Sequence, residues 1–282
     1  MAENIYELKD VSYSWVDGRP ALDGVSLAIP SGKRVAIIGA NGSGKSTLLT
    51  LLDGLAFAKA GSLTAFGAAL DAKALGRPDL QRAFRRRVGY VFQNSDAQLF
   101  CPTIREDLEF GPLQLDVAEG EVARRVEAIS RRLGLGDLLE RPPHELSVGE
   151  KKKAALASTF TLETEVLLLD EPTAGIDPQT MRDLVDLLQE AHAGGRTIVF
   201  ATHDLHLVEE LADEVHVFGR DHRLARSGTP EEILTDHAFL LAQNLVHIHV
   251  HRHAHGVHQH EHGHAIAPVK KVPARRKKGK RG

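Results

Sequence analysis

The chain has 282 residues, 42% of them hydrophobic and 26% charged, which is the composition of a globular protein with a sizeable core. It contains no run of about 18 apolar residues and no basic start followed by an apolar stretch, so it predicts neither a membrane-spanning helix nor a secretory signal. The single cysteine, Cys101, excludes an internal disulfide and fits a reducing compartment, and the net charge of −3 hides a basic segment, residues 270–282, with eight positive charges and no acid.

Short apolar runs alternate with helical patterns along most of the chain, and this alternation predicts an α/β fold. Runs rich in Val, Ile and Leu predict buried strands at 34–39, 166–170 and 197–202. Residues 48–56 and 178–191 have the spacing of helices. The alternation therefore indicates a sheet covered by helices.

Strand signals vanish between Phe100 and Ala157, where basic and apolar residues recur at helical spacing, so we expect a helical insertion there. Thr229 to Glu232, followed by apolar residues, predict a helix start with a capping box and a proline in the first turn. After Asn244 the sequence becomes rich in histidine and then in lysine and arginine, and we expect little packed core in that part.

The stretch GANGSGKST, residues 39–47, matches the phosphate-binding pattern G-x-x-x-x-G-K-[ST] between a predicted strand and a predicted helix. Its glycines let backbone N–H groups surround phosphate oxygens, and the following helix presents its positive end to the anion. Lys45 would reach the outer phosphates, and Ser46 would bind Mg²⁺. The predicted nucleotide contacts are Gly39, Asn41, Gly42, Ser43, Gly44, Lys45, Ser46 and Thr47.

A second acidic motif, VLLLDEP at 166–172, ends an apolar strand in two carboxylates. Asp170 would support Mg²⁺, and Glu171 would orient the water that attacks the γ-phosphate. Alone, the motif is typical of a strand end with solvated acids. Together with the phosphate loop it predicts hydrolysis of a nucleoside triphosphate.

Five further motifs are Trp15 in VSYSWVDG, Gln93 in YVFQNSDAQ, the signature LSVGE at 146–150, Asp177 in AGIDP and His203 in ATHD. With these motifs, residues 4–235 resemble an ATP-binding-cassette ATPase subunit. The resemblance implies a phosphate-loop ATPase core with a mixed sheet, an antiparallel β subdomain and a helical signature subdomain at about 95–157, all within residues 1–243. It also leaves residues 244–282 as a flexible His-rich and basic tail.

The resemblance also implies a role for each of these residues. Trp15 would stack on adenine, Gln93 would touch Mg²⁺ or the attacking water, and His203 would contact the γ-phosphate. Asp177, in the loop that follows the second acidic motif, would be a further nucleotide contact. By the residues alone, Trp15 could equally be a core residue and His203 a histidine at a strand end.

The signature has the pattern of a capped helix start, because Ser147 and Glu150 form an S-x-x-E capping box. In the resembling family this helix end faces the γ-phosphate held by a second subunit, and Ser147 with the small Gly149 suits a close approach to an anion. Ser147, Gly149 and Glu150 are therefore predicted nucleotide contacts. One chain holds one set of motifs, so we expect a homodimer or a pair with an ATPase paralogue.

Departures from the general pattern resemble the ATPases of energy-coupling-factor transporters, particularly the cobalt and nickel branch. Val148 replaces a glycine and Glu150 a glutamine, while QNSDAQ follows a related pattern with Ser95 in place of proline. In that group the segment docks a membrane subunit, so Asp96 and Gln98 are expected to serve coupling. The resemblance implies an integral membrane coupling subunit, a substrate-capture subunit and a location at the cytoplasmic face of the cell membrane.

Nine of the sixteen histidines lie in residues 245–264. Alternation at period two would put those of 247–255 on one face of an extended strand, and imidazole suits Ni²⁺, Co²⁺, Cu²⁺ and Zn²⁺. A solvated low-complexity tail is the other interpretation. The predicted ligands, with Ni²⁺ or Co²⁺ as candidate ions, are His247, His249, His251, His253, His255, His258, His260, His262 and His264.

These patterns predict an ATP- and Mg²⁺-dependent ATPase subunit that energises a membrane importer of Ni²⁺ or Co²⁺. A vitamin importer is an alternative, because another chain selects the cargo. A non-transport cassette ATPase and a nucleotide-linked metal-storage protein are further alternatives. The single cassette and the lack of a long coiled-coil insertion argue against a nucleic-acid partner.

Overall fold

The computed structural model describes residues 3–253 and 256–262. Ten helices and twelve strands lie in these ranges. The strands are β1 (Asn4–Ser14), β2 (Pro20–Pro30), β3 (Arg34–Gly39), β4 (Ala60–Ala65), β5 (Ala68–Ala69), β6 (Val88–Val91), β7 (Val166–Asp170), β8 (Thr197–Thr202), β9 (Glu214–Phe218), β10 (Leu224–Gly228), β11 (His247–His253) and β12 (Gly256–His262). The helices are α1 (Lys45–Leu52), α2 (Ala72–Leu75), α3 (Pro78–Arg85), α4 (Ile104–Gln114), α5 (Glu119–Leu133), α6 (Val148–Phe160), α7 (Pro178–Ala193), α8 (Leu205–Leu211), α9 (Pro230–Leu234) and α10 (His237–Ala242).

The central sheet has the order β10-β9-β3-β8-β7-β6, and only β10 pairs antiparallel to its neighbour. The three strands predicted from apolar runs are β3, β8 and β7 at its centre, so that prediction is confirmed. A second sheet, β2-β1-β4-β5, is antiparallel throughout. The expected combination of a mixed sheet with an antiparallel β subdomain is therefore confirmed.

Two hydrophobic cores lie against opposite faces of the central sheet, because successive side chains of a strand point to opposite sides. Ile38 of β3 packs in the core that includes α5, α6 and α7. Its neighbour Ile37 packs in the core shared with α1 and the antiparallel sheet. Because both faces of the central sheet are buried, the sequences of these strands are continuously apolar and do not alternate between apolar and polar residues.

The segment predicted to be a helical insertion holds α4, α5 and α6, as expected. The helix predicted over 48–56 begins at Lys45 and ends earlier, at Leu52. Gly54 has φ +64°, a left-handed conformation that ends a helix. α9 begins after Thr229, whose capping box with Glu232 forms as predicted.

Residues that pack in the core continue past residue 243. Val246 is 3% exposed and belongs to the core. Beyond it, β11 and β12 form an antiparallel hairpin. Its register pairs His247 with His262, His249 with His260 and His251 with His258. The predictions for His255, His264 and the basic run fall outside the described residues. Among residues 3–253 and 256–262, no helix combines the length and the apolar character needed to cross a bilayer.

Candidate nucleotide site

The phosphate loop connects the carboxyl end of β3 to α1, and glycine is required at two of its positions. A Cβ on Gly44, which has φ +109°, would lie 2.2 Å from the carbonyl oxygen of Ala21. A Cβ on Gly39 would lie 2.5 Å from Ser43 Oγ. The loop can therefore bend this tightly only with glycine at both ends, which leaves its backbone close enough to surround a phosphate.

Lys45 lies at the start of α1 and is 6% exposed. Its Nζ donates to the carbonyl oxygen of Gly39 at 2.9 Å and lies 3.9 Å from Glu171 Oε1. Burial lowers the pKa of Lys45, while the nearby carboxylates of Glu171 and Asp170 oppose this shift. The loop therefore holds a cation within reach of the space where outer phosphates would bind.

Ser46 and Asp170, two predicted Mg²⁺ ligands 124 positions apart in sequence, meet in the structure. Ser46 Oγ donates to Asp170 Oδ1 at 3.0 Å. Burial raises the pKa of Asp170, and the Ser46 hydrogen bond opposes the increase. Hydroxyl and carboxylate oxygens are the hard donors that Mg²⁺ prefers, so this pair fits the ion. Gln93, the third predicted ligand, is exposed just beyond β6, the strand beside β7.

Glu171 and His203 follow neighbouring parallel strands and form a direct contact. His203 Nδ1 lies 2.8 Å from Glu171 Oε2. Glu171 is 6% exposed and has φ +44°, an unfavourable conformation for a residue with a side chain. The strained backbone directs a buried carboxylate toward both His203 and Lys45, which places a candidate base beside the phosphate loop.

A cavity of about 430 Å³ lies beside the phosphate loop, with Trp15 in its wall. Trp15 is 42% exposed and its ring and that of Tyr13 pack edge-to-face at 5.2 Å, so part of the indole is accessible to a ligand in the cavity. Arg19 and His222 also line this cavity, and the sequence reasoning missed both. Arg19 lies only four residues after Trp15 in the sequence, and this proximity could have indicated its place in the site. His222 lies in the turn after β9, far away in sequence, and no sequence pattern connects it with the site.

The remaining predicted residues of the phosphate loop differ in exposure. Asn41 and Gly42 are exposed, whereas Thr47 is buried at the base of α1. Ser43 is 1% exposed, and its Oγ has no hydrogen-bond partner in the described structure. An unpaired buried hydroxyl beside Gly39 is an observation that fits a site for phosphate oxygens.

The signature forms the start of α6, and its predicted capping box is present. Ser147 N–H donates to Glu150 Oε2 at 2.8 Å, and Glu150 N–H donates to Ser147 Oγ at 3.3 Å. A Cβ on Gly149 would meet Asp177 Oδ2 at 3.6 Å, and Asp177 in turn caps α7. The signature therefore contacts the Asp177 loop of its own chain. It does not line the cavity beside Lys45.

No group of three or more His, Cys, Asp or Glu side chains in the described part of the chain could hold a metal ion. The predicted ligands of the tail are not among those side chains, because the structure describes none beyond Val246. Metal binding by the tail therefore stays a prediction.

The fold and this site define a class. A phosphate loop, an adjacent Ser–Asp pair and a buried glutamate in contact with an exposed histidine, all at the carboxyl ends of parallel strands, are the parts of a phosphate-loop nucleoside triphosphatase. The capped start of α6, which carries the signature, is a separate feature that does not line this cavity.

Comparison with known proteins assigns the chain within this class. The sequence profile of the ABC transporter family matches residues 22–174. The nickel import ATP-binding protein NikO of Rhodobacter capsulatus is 48% identical over 244 residues, covering 86% of this chain and 95% of that protein. The energy-coupling factor transporter ATP-binding protein EcfA of Methanothermobacter thermautotrophicus is 41% identical over 230 residues, covering 82% and 72%.

A solved structure agrees with this assignment. The structure of cbiO1 from Clostridium perfringens, described as part of the ABC transporter complex cbiONQ, matches with a TM-score of 0.72 and 34% identity, covering 86% of this chain and 95% of that one. The chain therefore belongs to the ABC transporter family. It is an ATP-binding subunit of the energy-coupling-factor type, and its ATP hydrolysis is coupled to transport.

Proposed function

We propose that this subunit energises the import of a transition-metal ion, with Ni²⁺ first and Co²⁺ as the alternative ion. The observation that carries the proposal is the 48% identity, across almost the whole relative, to a protein named for nickel import. The histidine-rich tail favours the same cargo, because imidazole binds both ions well. The 41% identity to EcfA, whose name specifies no cargo, keeps a vitamin importer as the second candidate.

We propose the following roles for the site residues, which the contacts described above support. Backbone N–H groups of the phosphate loop and Lys45 would bind the β- and γ-phosphates, and Trp15 would stack on adenine. Glu171 would accept a proton from the attacking water, and His203 would hold that carboxylate in place through its 2.8 Å contact. Mg²⁺, held by Ser46 and Asp170 with Gln93, would neutralise charge that develops on the phosphates.

The signature would complete a site on a second subunit. Ser147 and Gly149 lie at the exposed tip of α6 and line no cavity with their own phosphate loop. A helix N-terminus attracts anions, so this tip suits the γ-phosphate of a nucleotide held by the partner. We therefore propose a homodimer, or a pair with a paralogue, that closes around two ATP molecules.

The membrane subunit would dock beside the glutamine loop, the segment that follows β6. Phe100 and Phe110 are 65% and 43% exposed and pack edge-on at 5.0 Å, an unusual exposure for two adjacent phenylalanines. A groove of about 430 Å³ between α3 and α4, lined by Arg85 and Tyr90 among others, lies near this patch. We propose that cytoplasmic helices of the membrane subunit occupy this groove. The ATPase would then lie at the cytoplasmic face of the membrane.

The histidine-rich tail would bind the transported ion without taking part in ATP hydrolysis. The proposed nucleotide contacts and the lining of the cavity lie within residues 15–222, whereas the histidines of the tail lie beyond residue 246. A deletion of residues 247–264 tests this proposal, because it removes all nine histidines of the tail and keeps the core residue Val246. We expect this variant to lose Ni²⁺ binding in isothermal titration and to keep its ATPase rate. Loss of hydrolysis would contradict the separation of roles.

Uptake into cells tests the cargo. The chain is expressed together with the membrane subunits encoded by neighbouring genes, in a host that has no nickel or cobalt uptake of its own. Uptake of ⁶³Ni²⁺, ⁵⁷Co²⁺ and labelled vitamins is then measured in parallel. We expect metal uptake that requires Glu171, because Glu171→Gln removes the proposed base. Uptake of a vitamin but of neither metal would replace this proposal with the second candidate.

A metal-storage function predicts a different result in the titration. Ni²⁺ would then bind tightly to the full chain, and its affinity would change when ATP is added. We expect the affinity to be the same with and without ATP, because the tail lies outside the nucleotide site.

A further inference from the structure

The backbone of Phe92 marks the point where β6 leaves the central sheet. The pairing of β6 with β7 ends at Val91. The N–H of Phe92 then donates to Gln98 Oε1 at 3.0 Å, and its carbonyl oxygen accepts from Lys152 Nζ at 3.2 Å. Two side chains thus replace the sheet partner at the start of the glutamine loop.

Lys152 belongs to the signature helix α6, five residues after Ser147, and is 2% exposed. Its Nζ also donates to the carbonyl oxygen of Gln93 at 3.2 Å. A buried ammonium is costly when it lacks hydrogen-bond acceptors. Any movement that pulled the glutamine loop away from α6 would leave Lys152 without these two acceptors. The loop and the helix are therefore favoured to move together.

Gln98 fastens the other end of the loop to the same helix. Its Nε2 lies 2.7 Å from the carbonyl oxygen of Ala155 and 3.0 Å from both Ser158 Oγ and Thr159 Oγ1. Thr159 Oγ1 also donates to the carbonyl oxygen of Tyr90 at 3.0 Å. The Gln98 amide is thus fully engaged inside the chain, so a coupling role of this residue would pass through α6.

We propose that Lys152 and Gln98 are positioning residues that fix the glutamine loop to the signature helix. Gln93 belongs to the chain's own nucleotide site, and Ser147 at the tip of α6 belongs to the partner's site. Because the glutamine loop and the signature helix are joined, ATP bound at the chain's own site would change the position of the signature at the partner's site. The two ATP sites of the dimer are then linked through the interior of each chain. This inference rests on the proposed two-chain site.

Kinetics of ATP hydrolysis by the purified full chain test this link. Lys152→Met removes both hydrogen bonds of Nζ to the glutamine loop at similar side-chain length, and Gln98→Leu removes the hydrogen bonds that hold the other end of the loop to α6. Each variant should lower kcat about 10-fold or more, because misplacement of catalytic groups is costly. Each should change KM for ATP by less than about 3-fold, because neither residue touches the nucleotide. The Hill coefficient for ATP should fall from about 2 toward 1.

Lys153→Met is the matched control, because the neighbouring Lys153 binds Asp183 of α7 at 3.0 Å and not the glutamine loop. It should keep the wild-type Hill coefficient. A thermal melt shows whether each variant is folded. If Lys152→Met does not fold, Gln98→Leu provides the test. Unchanged cooperativity in a folded Lys152→Met or Gln98→Leu protein would overturn the proposal, as would an equal loss in Lys153→Met. The assay measures no cargo, so failure of the nickel proposal leaves its result unaffected.

Discussion

The phosphate loop and the signature differ in how far their own chain completes them. Lys45, Asp170 and Glu171 are at most 6% exposed and lie in contact with one another or with Ser46. At the signature, Val148 is 66% exposed and the capping contacts close only within the helix tip. In the proposed two-chain site, the first region is an assembled half-site, and the second is an exposed surface that would complete the half-site of a partner. The contrast teaches why the proposal needs two chains: the phosphate loop and the signature of one chain do not line the same cavity.

The largest effect expected within the assembled half-site is that of Glu171→Gln. Removing the proposed base should lower kcat by about 10³-fold, within the range for general base catalysis. ATP should still bind, so light scattering with Mg²⁺ and ATP should show a particle of twice the 30.8 kDa chain mass. Glu210→Gln, an exposed acid on α8, is the control and should hydrolyse ATP normally. Normal turnover by Glu171→Gln would remove Glu171 from its role.

A smaller effect distinguishes the two possible roles of Ser147. Asp is as good a helix cap as Ser, so Ser147→Asp should preserve the stability of α6 while placing a negative charge where the partner's γ-phosphate would lie. We expect an ATPase loss of about 10²-fold, since like charges in contact cost several kcal/mol. Ser147→Asn, a neutral cap, should lose much less. Equal activity of the two variants would mean that Ser147 acts only as a cap.

The smallest effect concerns the core behind the phosphate loop. His216 of β9 pairs with Ile37 of β3 and is 2% exposed. Burial lowers the pKa of His216 to about 4, and a hydrogen bond to the Ala28 backbone opposes this shift only in part. The unfolded chain binds a proton below about pH 6.5, whereas the folded chain does not until about pH 4. Stability contributed by this residue is therefore complete above pH 6.5 and is lost as the pH falls toward 4.

Urea unfolding at two pH values measures the contribution of His216 to the free energy of unfolding. The free energy of unfolding should fall by about 2 kcal/mol between pH 7 and pH 5 because of His216, at roughly 1.36 kcal/mol per pKa unit. His216→Gln should be less stable at pH 7 but should lack this part of the decrease. An identical pH dependence in both proteins would show that acid does not act through His216.

The parts of the site that lie close together in sequence were predictable, because a short motif carries its own geometry. The loop from Gly39 to Thr47 and the acids at 170–171 follow apolar strands, and parallel strands bring their carboxyl ends to one edge. The capping box of Ser147 is likewise a four-residue pattern. The sequence therefore indicates which residues meet at the edge of the central sheet.

The residues that were missed depend on long-range packing. Lys152 lies within the run Lys-Lys-Lys, whose charge suggests a solvated face, and only its spacing from Ala155, Leu156 and Thr159 signals burial. His222 reaches the nucleotide cavity from a distant turn. The end of α1 at Leu52 depends on the backbone of Gly54, which apolar periodicity does not encode.

The central claim is that each ATP is bound by the phosphate loop of one subunit and the signature of another. Mixing two inactive variants, Lys45→Ala and Ser147→Asp, tests it directly, because a mixed dimer contains one site built from an intact loop and an intact signature. The account predicts recovery of ATPase activity in an equal mixture of exchanging dimers, up to about one quarter of the wild-type value, because half of the dimers are mixed and each has one intact site of two. A mixture no more active than either variant alone would contradict it.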